Sequence, residues 1–334
     1  MNQKSQKLAD GGIMAATVIG IYNMKGGVSK TTSTINIAAE LALTKNKQTK
    51  EKNRVLIIDA DSQCTATKFF LGYEDYNNPY GQKTCIYGPD KEIRDDVVTL
   101  YDVLKYNKDP YQAIRTCEFY SKRRASDKKR GIFFQKIDIR IDVIPCHDEI
   151  YDFPVYRDEK NDDVVKNINA FVKIIDLIRR SYDYIMVDFS PSYNYYTQMI
   201  LNGLDYVIAP VSIDQSSSLE GYMELIKKCE REEKKAKNSK NSDQQKTVNV
   251  LGAYYTETEF YKKNASEKYE KYQKSGMLKA LRFFDSYVRY DKSSVIECER
   301  LMIPACIFSS KSKIAQDYEA LTKEIVTRVE ELSR

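Results

Sequence analysis

One stretch, Thr17–Thr34 (TVIGIYNMKGGVSKTTST), limits the possible folds more than any other part of the chain. A short β-branched run, Thr17–Tyr22, leads almost directly into Lys25, Gly26, Gly27, Val28, Ser29, Lys30, Thr31 and Thr32. Ile35, Ala38, Ala39 and Ala42 then follow at helical spacing. A strand, a glycine turn and a helix in immediate succession make a cradle for phosphate. The glycines let the backbone curl with its N–H groups inward, and the new helix offers the positive end of its dipole. In such a loop Lys30 reaches the β- and γ-phosphates and the Thr31 hydroxyl binds Mg²⁺. The strict spacing GxxxxGK[ST] is not met, because Met24 and Ser29 stand where its two glycines belong. An additional lysine, Lys25, precedes the glycine pair instead. Residues 25–32 are therefore the candidate nucleotide-binding set, for a phosphate-bearing ligand with Mg²⁺.

The rest of the chain repeats the strand-and-helix alternation. Val55–Asp59, Ile141–Pro145, Ile185–Asp188, Tyr206–Val211 and Val248–Thr256 are β-branched runs separated by stretches long enough for helices. Ile168, Phe171, Ile174, Ile175 and Ile178 recur on one helical face, and Ser217 with Glu220 forms a capping-box pattern. The fold class expected is α/β, a twisted, mostly parallel sheet with helices on both faces. With 334 residues, 42% hydrophobic and 30% charged, there is apolar material for a sizeable core. Residues 1–16 read as a flexible leader. Residues 17–334 read as one domain, with insertions near 73–96, 117–137 and 230–247. The last of these is poor in apolar residues and is expected to carry a helix into solvent before a loop. Near the C-terminus Ile314, Tyr318, Leu321, Ile325 and Val329 share one face of a helix whose other face is largely acidic, the pattern of a docking helix.

The loop KGGVSKTT resembles the deviant Walker A motif KGGxxK[ST]T of the ParA/MinD ATPases, a group with the P-loop NTPase fold. Other segments resemble the same family. Asp59-Ala60-Asp61-Ser62-Gln63 is similar to its DxDPQ element, Tyr182–Asp188 to its Walker B strand, and Ser190-Pro191-Ser192 to the TPPS that follows. Thr99–Leu104 and Ser310–Val329 are similar to stretches of the partition ParA proteins. The resemblance implies an ATPase that forms an ATP-sandwiched homodimer, with Lys25 reaching the partner's phosphates in trans, much as an arginine finger does. It implies that Asp188, aided by Asp59, holds Mg²⁺ through water and that Asp61 orients the attacking water, making Lys25, Lys30 and Asp61 the catalytic set. Ser29 departs from the family's glycine, Ser62 from its proline, Cys64-Thr65 from its Gly-Asn and Phe189 from its threonine. None of these removes Lys25, Lys30, Thr31, Asp61 or Asp188, so slow, partner-stimulated hydrolysis is expected.

Charge and cysteine content narrow the partners. Net charge is +5, too small to announce a nucleic-acid binder, but Lys227–Lys292 holds 17 Lys/Arg against 10 Asp/Glu. Partition ParA proteins bind DNA without sequence preference and are triggered by a ParB-like centromere-binding protein. On that resemblance Lys262, Lys263, Arg282, Arg289 and Lys292 are the candidate DNA contacts, Arg289 falling where relatives carry a VRxS segment. The expected role is plasmid or chromosome partition, in the cytoplasm and on the nucleoid. The alternatives are positioning of a protein cargo, which uses the same switch, and a MinD-like membrane cycle, which wants a basic C-terminal amphipathic helix that Lys311–Arg334 does not supply. Seven cysteines without a CxxC pair, and a single histidine, give little support to a disulfide framework or a zinc site. An iron–sulfur role would need a pair of cysteines for a cluster shared by two subunits; Cys117 and Cys146 are conceivable, but no motif around them supports it. No apolar run approaches the ~20 residues of a membrane span, and no membrane partner is expected.

Overall fold

The computed structural model describes residues 15–72, 85–88, 92–124, 132–153, 169–212, 215–238, 248–256, 267, 271, 274–289 and 291–333. Its strands are β1 (Thr17–Ile21), β2 (Val55–Ala60), β3 (Arg115–Arg124), β4 (Ile132–Ile144), β5 (Tyr184–Phe189), β6 (Tyr206–Ser212) and β7 (Asn249–Thr256). The α-helices are α1 (Lys30–Leu43), α2 (Thr65–Leu71), α3 (Leu100–Tyr106), α4 (Pro110–Ala113), α5 (Ala170–Ile178) and α6 (Tyr195–Asn202). They continue with α7 (Ser216–Asn238), α8 (Met277–Ala280), α9 (Lys292–Leu301), α10 (Ala305–Ser309) and α11 (Lys313–Ser333). The seven strands form one sheet in the order β3-β4-β2-β5-β1-β6-β7, parallel except for β3 against β4.

Six of the strands arise where the β-branched runs predict them, because a parallel strand buried on both faces needs apolar residues at nearly every position. Their side chains divide between two cores. Leu56, Ile58, Ile185 and Val187 point to one face, where Phe171, Ile174 and Ile175 of α5 and Met199 of α6 cover them. Val55, Ile57, Met186 and Ile208 point to the other, under Ile35, Ala38 and Ala39 of α1 and Tyr318, Leu321 and Ile325 of α11. The C-terminal helix is thus a docking helix, tied to α1 by Ser33 Oγ and Tyr318 Oη at 3.0 Å.

Two local expectations change. The run Ile141–Pro145 is only the end of β4, which begins at Ile132 and pairs antiparallel with β3 along most of the segment set aside as an insertion. Ser217 and Glu220 form no capping box, because α7 already begins at Ser216 and both lie within it. That helix start is ordered by Ser218, whose Oγ accepts from Ser212 N at 2.9 Å. A capping box forms at α3 instead, where Asp102 Oδ2 accepts from Thr99 N at 2.9 Å and Thr99 Oγ1 from Asp102 N at 3.5 Å. Ile168, residues 1–14 of the leader and much of the 73–96 and 230–247 segments lie outside the described residues.

Between α1 and α11 the Glu40 carboxyl is buried, and the opposing pull of Lys323 is smaller than the cost of that burial. Burial, and then the Glu319 carboxylate, push Glu40 up to about 7 from 4.5. A carboxyl raised in the folded state binds protons that the unfolded chain has released. Its contribution to stability is therefore full below pH 4.5 and lost as pH rises through about 7. Glu40→Gln should remove that loss, giving a protein more stable than wild type at pH 8 by on the order of 2–3 kcal/mol and nearly equal at pH 4.5. Urea unfolding of the two proteins at both pH values checks it.

Candidate nucleotide and magnesium site

The ends of β1, β2 and β5 meet at one edge of the sheet, and the register puts the acidic residues together there. Asp59 of β2 lies directly opposite Asp188 of β5, and Ile21 of β1 is opposite Asp188 on its other side. Adjacent strands are about 4.8 Å apart, so two buried carboxyl groups stand side by side beneath the glycine turn. Burial first, and then the neighbouring Asp59 carboxylate, raise Asp188 well above the usual carboxylate range.

The turn itself is built for backbone contact with an anion. Gly27 has φ +72° and Ser29 φ 62°, which aims the strand-to-helix connection back over the start of α1. Ser29 is the N-cap of α1 but makes no side-chain capping bond, so the first N–H groups of a 14-residue helix carry no side-chain cap there. Lys30 is buried, its Nζ donating to Lys25 O at 2.9 Å. Burial lowers its ammonium from the ordinary value, opposed by the Asp188 and Asp61 carboxylates. Thr31 Oγ1 donates to Asp188 Oδ2 at 2.6 Å, and Thr34 Oγ1 to Asp188 Oδ1 at 3.2 Å. Asn23 anchors the whole turn: its Nδ2 donates to Pro210 O at 2.8 Å and its Oδ1 accepts from Lys25 N at 3.0 Å. Lys25, Gly26, Gly27 and Ser29 are exposed, while Val28 and Lys30 are buried.

The hydroxyl of Thr31 with the carboxylate of Asp188 is an oxygen pair of the kind a magnesium ion takes, so this donor set fits the ion. Asp59 is engaged differently. Its Oδ2 accepts from Thr67 N and Thr67 Oγ1, both at 2.8 Å, and its Oδ1 accepts from Asp61 N at 3.1 Å. Cys64, the N-cap of α2, makes no side-chain cap of its own, so Asp59 caps that helix from the adjoining strand. Asp61 is nearly buried, and its Oδ1 accepts from Gln63 N at 3.0 Å.

Three of the departures from the family motif have a structural address. Ser29 (φ 62°) and Cys64 (φ 52°) both occupy left-handed backbone where glycine carries no penalty, at a cost of roughly 1–2 kcal/mol each. Phe189 is buried, its ring set edge-on to Tyr22 with centroids 5.4 Å apart. It also fills the space above Gly20, where an added Cβ would lie 2.6 Å from Phe189 Cε2 and 2.5 Å from Leu204 Cδ1.

Of the candidate DNA contacts, the side chains of Arg282 and Arg289 lie among the described residues. Lys262 and Lys263 lie outside the described residues, as does the side chain of Lys292. Arg282 Nη1 donates to Val250 O at 3.2 Å. Arg289 is held by Asp317, with Nη2 to Oδ1 at 2.7 Å and Nε to Oδ2 at 2.9 Å. All seven cysteines are free thiols, and Cys117 and Cys146 sit in the hydrophobic cores. Among the described residues no cluster of three or more His, Cys, Asp or Glu is placed to hold a metal ion, and no helix is long and apolar enough to cross a membrane. Two features of the site escape a reading of the sequence: the Asp59 cap on α2, which a missing N-cap at Cys64 signals, and Tyr196, whose hydroxyl is buried near Asp59 and Asp61.

Comparisons with known proteins agree with this geometry. Residues 16–242 match the family AAA_31, an AAA domain. The sporulation initiation inhibitor protein Soj of Bacillus subtilis is 27% identical over 212 residues, which is 63% of this chain and 63% of Soj. The chain thus spans less than two thirds of the length of the curated relatives it matches. An ATP complex of McdA from Cyanothece superposes with a TM-score of 0.63 at 14% identity, covering 95% of this chain and 97% of that one. A putative plasmid partition protein of Borrelia burgdorferi bound to AMPPNP gives 0.58 at 20% identity, covering 94% and 99%. At these identities the two structures speak for the fold: a mostly parallel sheet wrapped by helices, as in P-loop NTPases.

Proposed function

The chain belongs to the ParA/MinD family of P-loop ATPases, and on that premise we propose that it is a magnesium-dependent ATPase switch for DNA partition. ATP joins two copies into a sandwich dimer, and the dimer binds DNA without sequence preference. A ParB-like centromere-binding partner then stimulates slow hydrolysis, which releases the DNA, so that a plasmid or chromosome is moved across the nucleoid in the cytoplasm. One observation carries the reading: Thr31 and Asp188 pair at 2.6 Å at the start of α1, beside a Lys25 that remains exposed. The fold likeness to a plasmid partition protein supports the partition role.

Thr31 and Asp188 would hold magnesium, with Asp59 behind them. When bound, the ion neutralises charge on the β- and γ-phosphates. The protein's own groups do the rest. Lys30 exchanges the Lys25 carbonyl for phosphate oxygen, and the N–H groups of 26–32 surround the anion. Asp61 orients the water that attacks the γ-phosphate. Lys25, whose side chain is free of the turn, crosses to the partner's phosphates and completes the site only in the dimer.

Protein-cargo positioning is the second reading. It uses the same switch, and it is favoured by the engagement of Arg289, one candidate phosphate contact, with Asp317. A MinD-like membrane cycle is disfavoured, because the apolar face of α11 is already spent on α1. The deciding measurement is DNA retention by Asp61→Ala protein at two salt concentrations, with ATP, with ADP and without nucleotide. Partition predicts binding with ATP alone, indifferent to sequence and falling steeply with salt, about 10³-fold or more between 50 and 200 mM if six or more phosphates are contacted. Retention in no state would remove DNA as the track and leave the cargo reading.

A further inference from the structure

One edge of the sheet carries an extension that the nucleotide site does not use. β4 pairs with β2 only over residues 141–144, opposite residues 55–58. Its earlier part, residues 132–140, has β3 as its sole strand neighbour among the described residues, out to Arg124 opposite Ile132. At about 3.4 Å per residue this is a two-stranded ribbon roughly 30 Å long. β4 runs parallel to β2, so the ribbon leaves the sheet past the start of β2, at the end opposite the P-loop.

The base of the ribbon is fixed to the core. Phe119 and Ile139 are buried, and the Phe119 ring meets Phe70 of α2 edge-on, with centroids 6.2 Å apart. The outer half carries charge of one sign. Residues 121–136 (SKRRASDKKRGIFFQK) hold seven Lys/Arg against one Asp, an excess larger than the net +5 of the whole chain. Within the paired strands it comes from Lys122, Arg123 and Arg124, opposite Phe134, Phe133 and Ile132. The period of a strand puts Lys122 and Arg124 on one face of the ribbon and Arg123 on the other. Lys136, nearer the base, is exposed and already paired with Glu118, Nζ to Oε1 at 2.5 Å.

We propose that this ribbon is a DNA-binding arm, with Lys122, Arg123 and Arg124 contacting the phosphates of duplex DNA. The inference rests on the reading of DNA as the track, and it adds a contact outside the 227–292 segment. A two-stranded ribbon fits a major groove about 12 Å wide. A cluster of one sign attracts phosphate without reading sequence. Three such contacts make a weak grip. An ATP-bound dimer carries two arms, and engaging both raises the affinity without any new kind of contact. The arm thus lies at the other end of the sheet from the nucleotide, yet answers to it through the dimer.

The test compares the wild-type chain with a Lys122→Gln, Arg123→Gln, Arg124→Gln variant on duplexes of unrelated sequence, with ATP and Mg²⁺ at several salt concentrations. The slope of log affinity against log salt should fall by about 1 for each contact removed, on every sequence, with ATP-dependent dimerisation and melting temperature level. An unchanged slope would mark the charges as guards of an exposed strand edge and overturn the proposal, leaving DNA to the 227–292 segment. A fall that comes with lost dimerisation or lost folded protein would mark an indirect effect and equally overturn it. A charge-keeping variant, Lys122→Arg with Arg123→Lys and Arg124→Lys, should hold the wild-type slope; a fall as large as with glutamine would sink the proposal. Flotation with phosphatidylglycerol vesicles adds one more outcome. Vesicle binding that glutamine abolishes, with the DNA slope unmoved, would assign the arm to an anionic membrane instead. No DNA binding by the wild-type protein in any nucleotide state would overturn the track reading beneath the proposal as well.

Discussion

Lys25→Ala should leave ATP binding by the single chain within a few-fold of wild type while abolishing ATP-dependent dimerisation. The reason lies in which Lys25 atoms the turn uses. Its N–H donates to Asn23 Oδ1 at 3.0 Å and its carbonyl accepts from Lys30 Nζ at 2.9 Å, and alanine keeps both. The side chain is exposed, so removing it costs the isolated turn little. What disappears is the charge brought to a second copy. A group acting in trans on a transferring phosphoryl is worth about 10³–10⁵ in rate, and hydrolysis should fall by that order. Light scattering after size exclusion, with ATP and Mg²⁺ and in an Asp61→Ala background to hold the nucleotide, reads the dimer directly. A dimer that forms as well without the lysine would end its assignment in trans.

Arg289→Glu should destabilise the fold itself. The guanidinium makes a two-pronged pair with Asp317, and Arg289 N also donates to Asp317 Oδ2 at 2.9 Å. Asp317 lies on the buried side of α11. A glutamate here would replace attraction by repulsion between two carboxylates. Breaking a buried pair costs roughly 3–5 kcal/mol, and the lower end applies because the Arg289 side chain is 37% exposed. Thermal or urea unfolding checks this, with no loss as the contrary outcome. DNA retention is therefore better tested at Arg282.

The parts of the fold legible in the sequence are those that one residue type enforces. Buried parallel strands need Val, Ile and Leu, so β1, β2, β5, β6 and β7 stand out, and the spacing of Ile314 to Val329 describes α11. β3 (RTCEFYSKRR) was not legible, because an edge strand has one partner and tolerates charge along its length. Within the site, the P-loop is readable because a phosphate cradle demands glycines and a lysine between a strand and a helix, while Asp61 and Asp188 are readable only through the resemblance of their segments to the family's motifs. The Arg289–Asp317 pair was not, since 28 residues separate its members and only the docking of α11 brings them together. Tyr196 was missed for a similar reason: an isolated tyrosine in YNYYTQ has no signature until its neighbours bury the hydroxyl.

Phe189 and Gly20 share one volume on neighbouring strands, and this fixes the order in which the two positions can diverge over evolutionary time. A larger residue at 20 meets Phe189 and Leu204 at once, so the ring at 189 must shrink before β1 can gain a side chain. The reverse order passes through an overpacked intermediate, destabilised by about 1–3 kcal/mol. The aromatic ring that follows Asp188 thus commits β1 to glycine at position 20 for as long as the ring keeps its size.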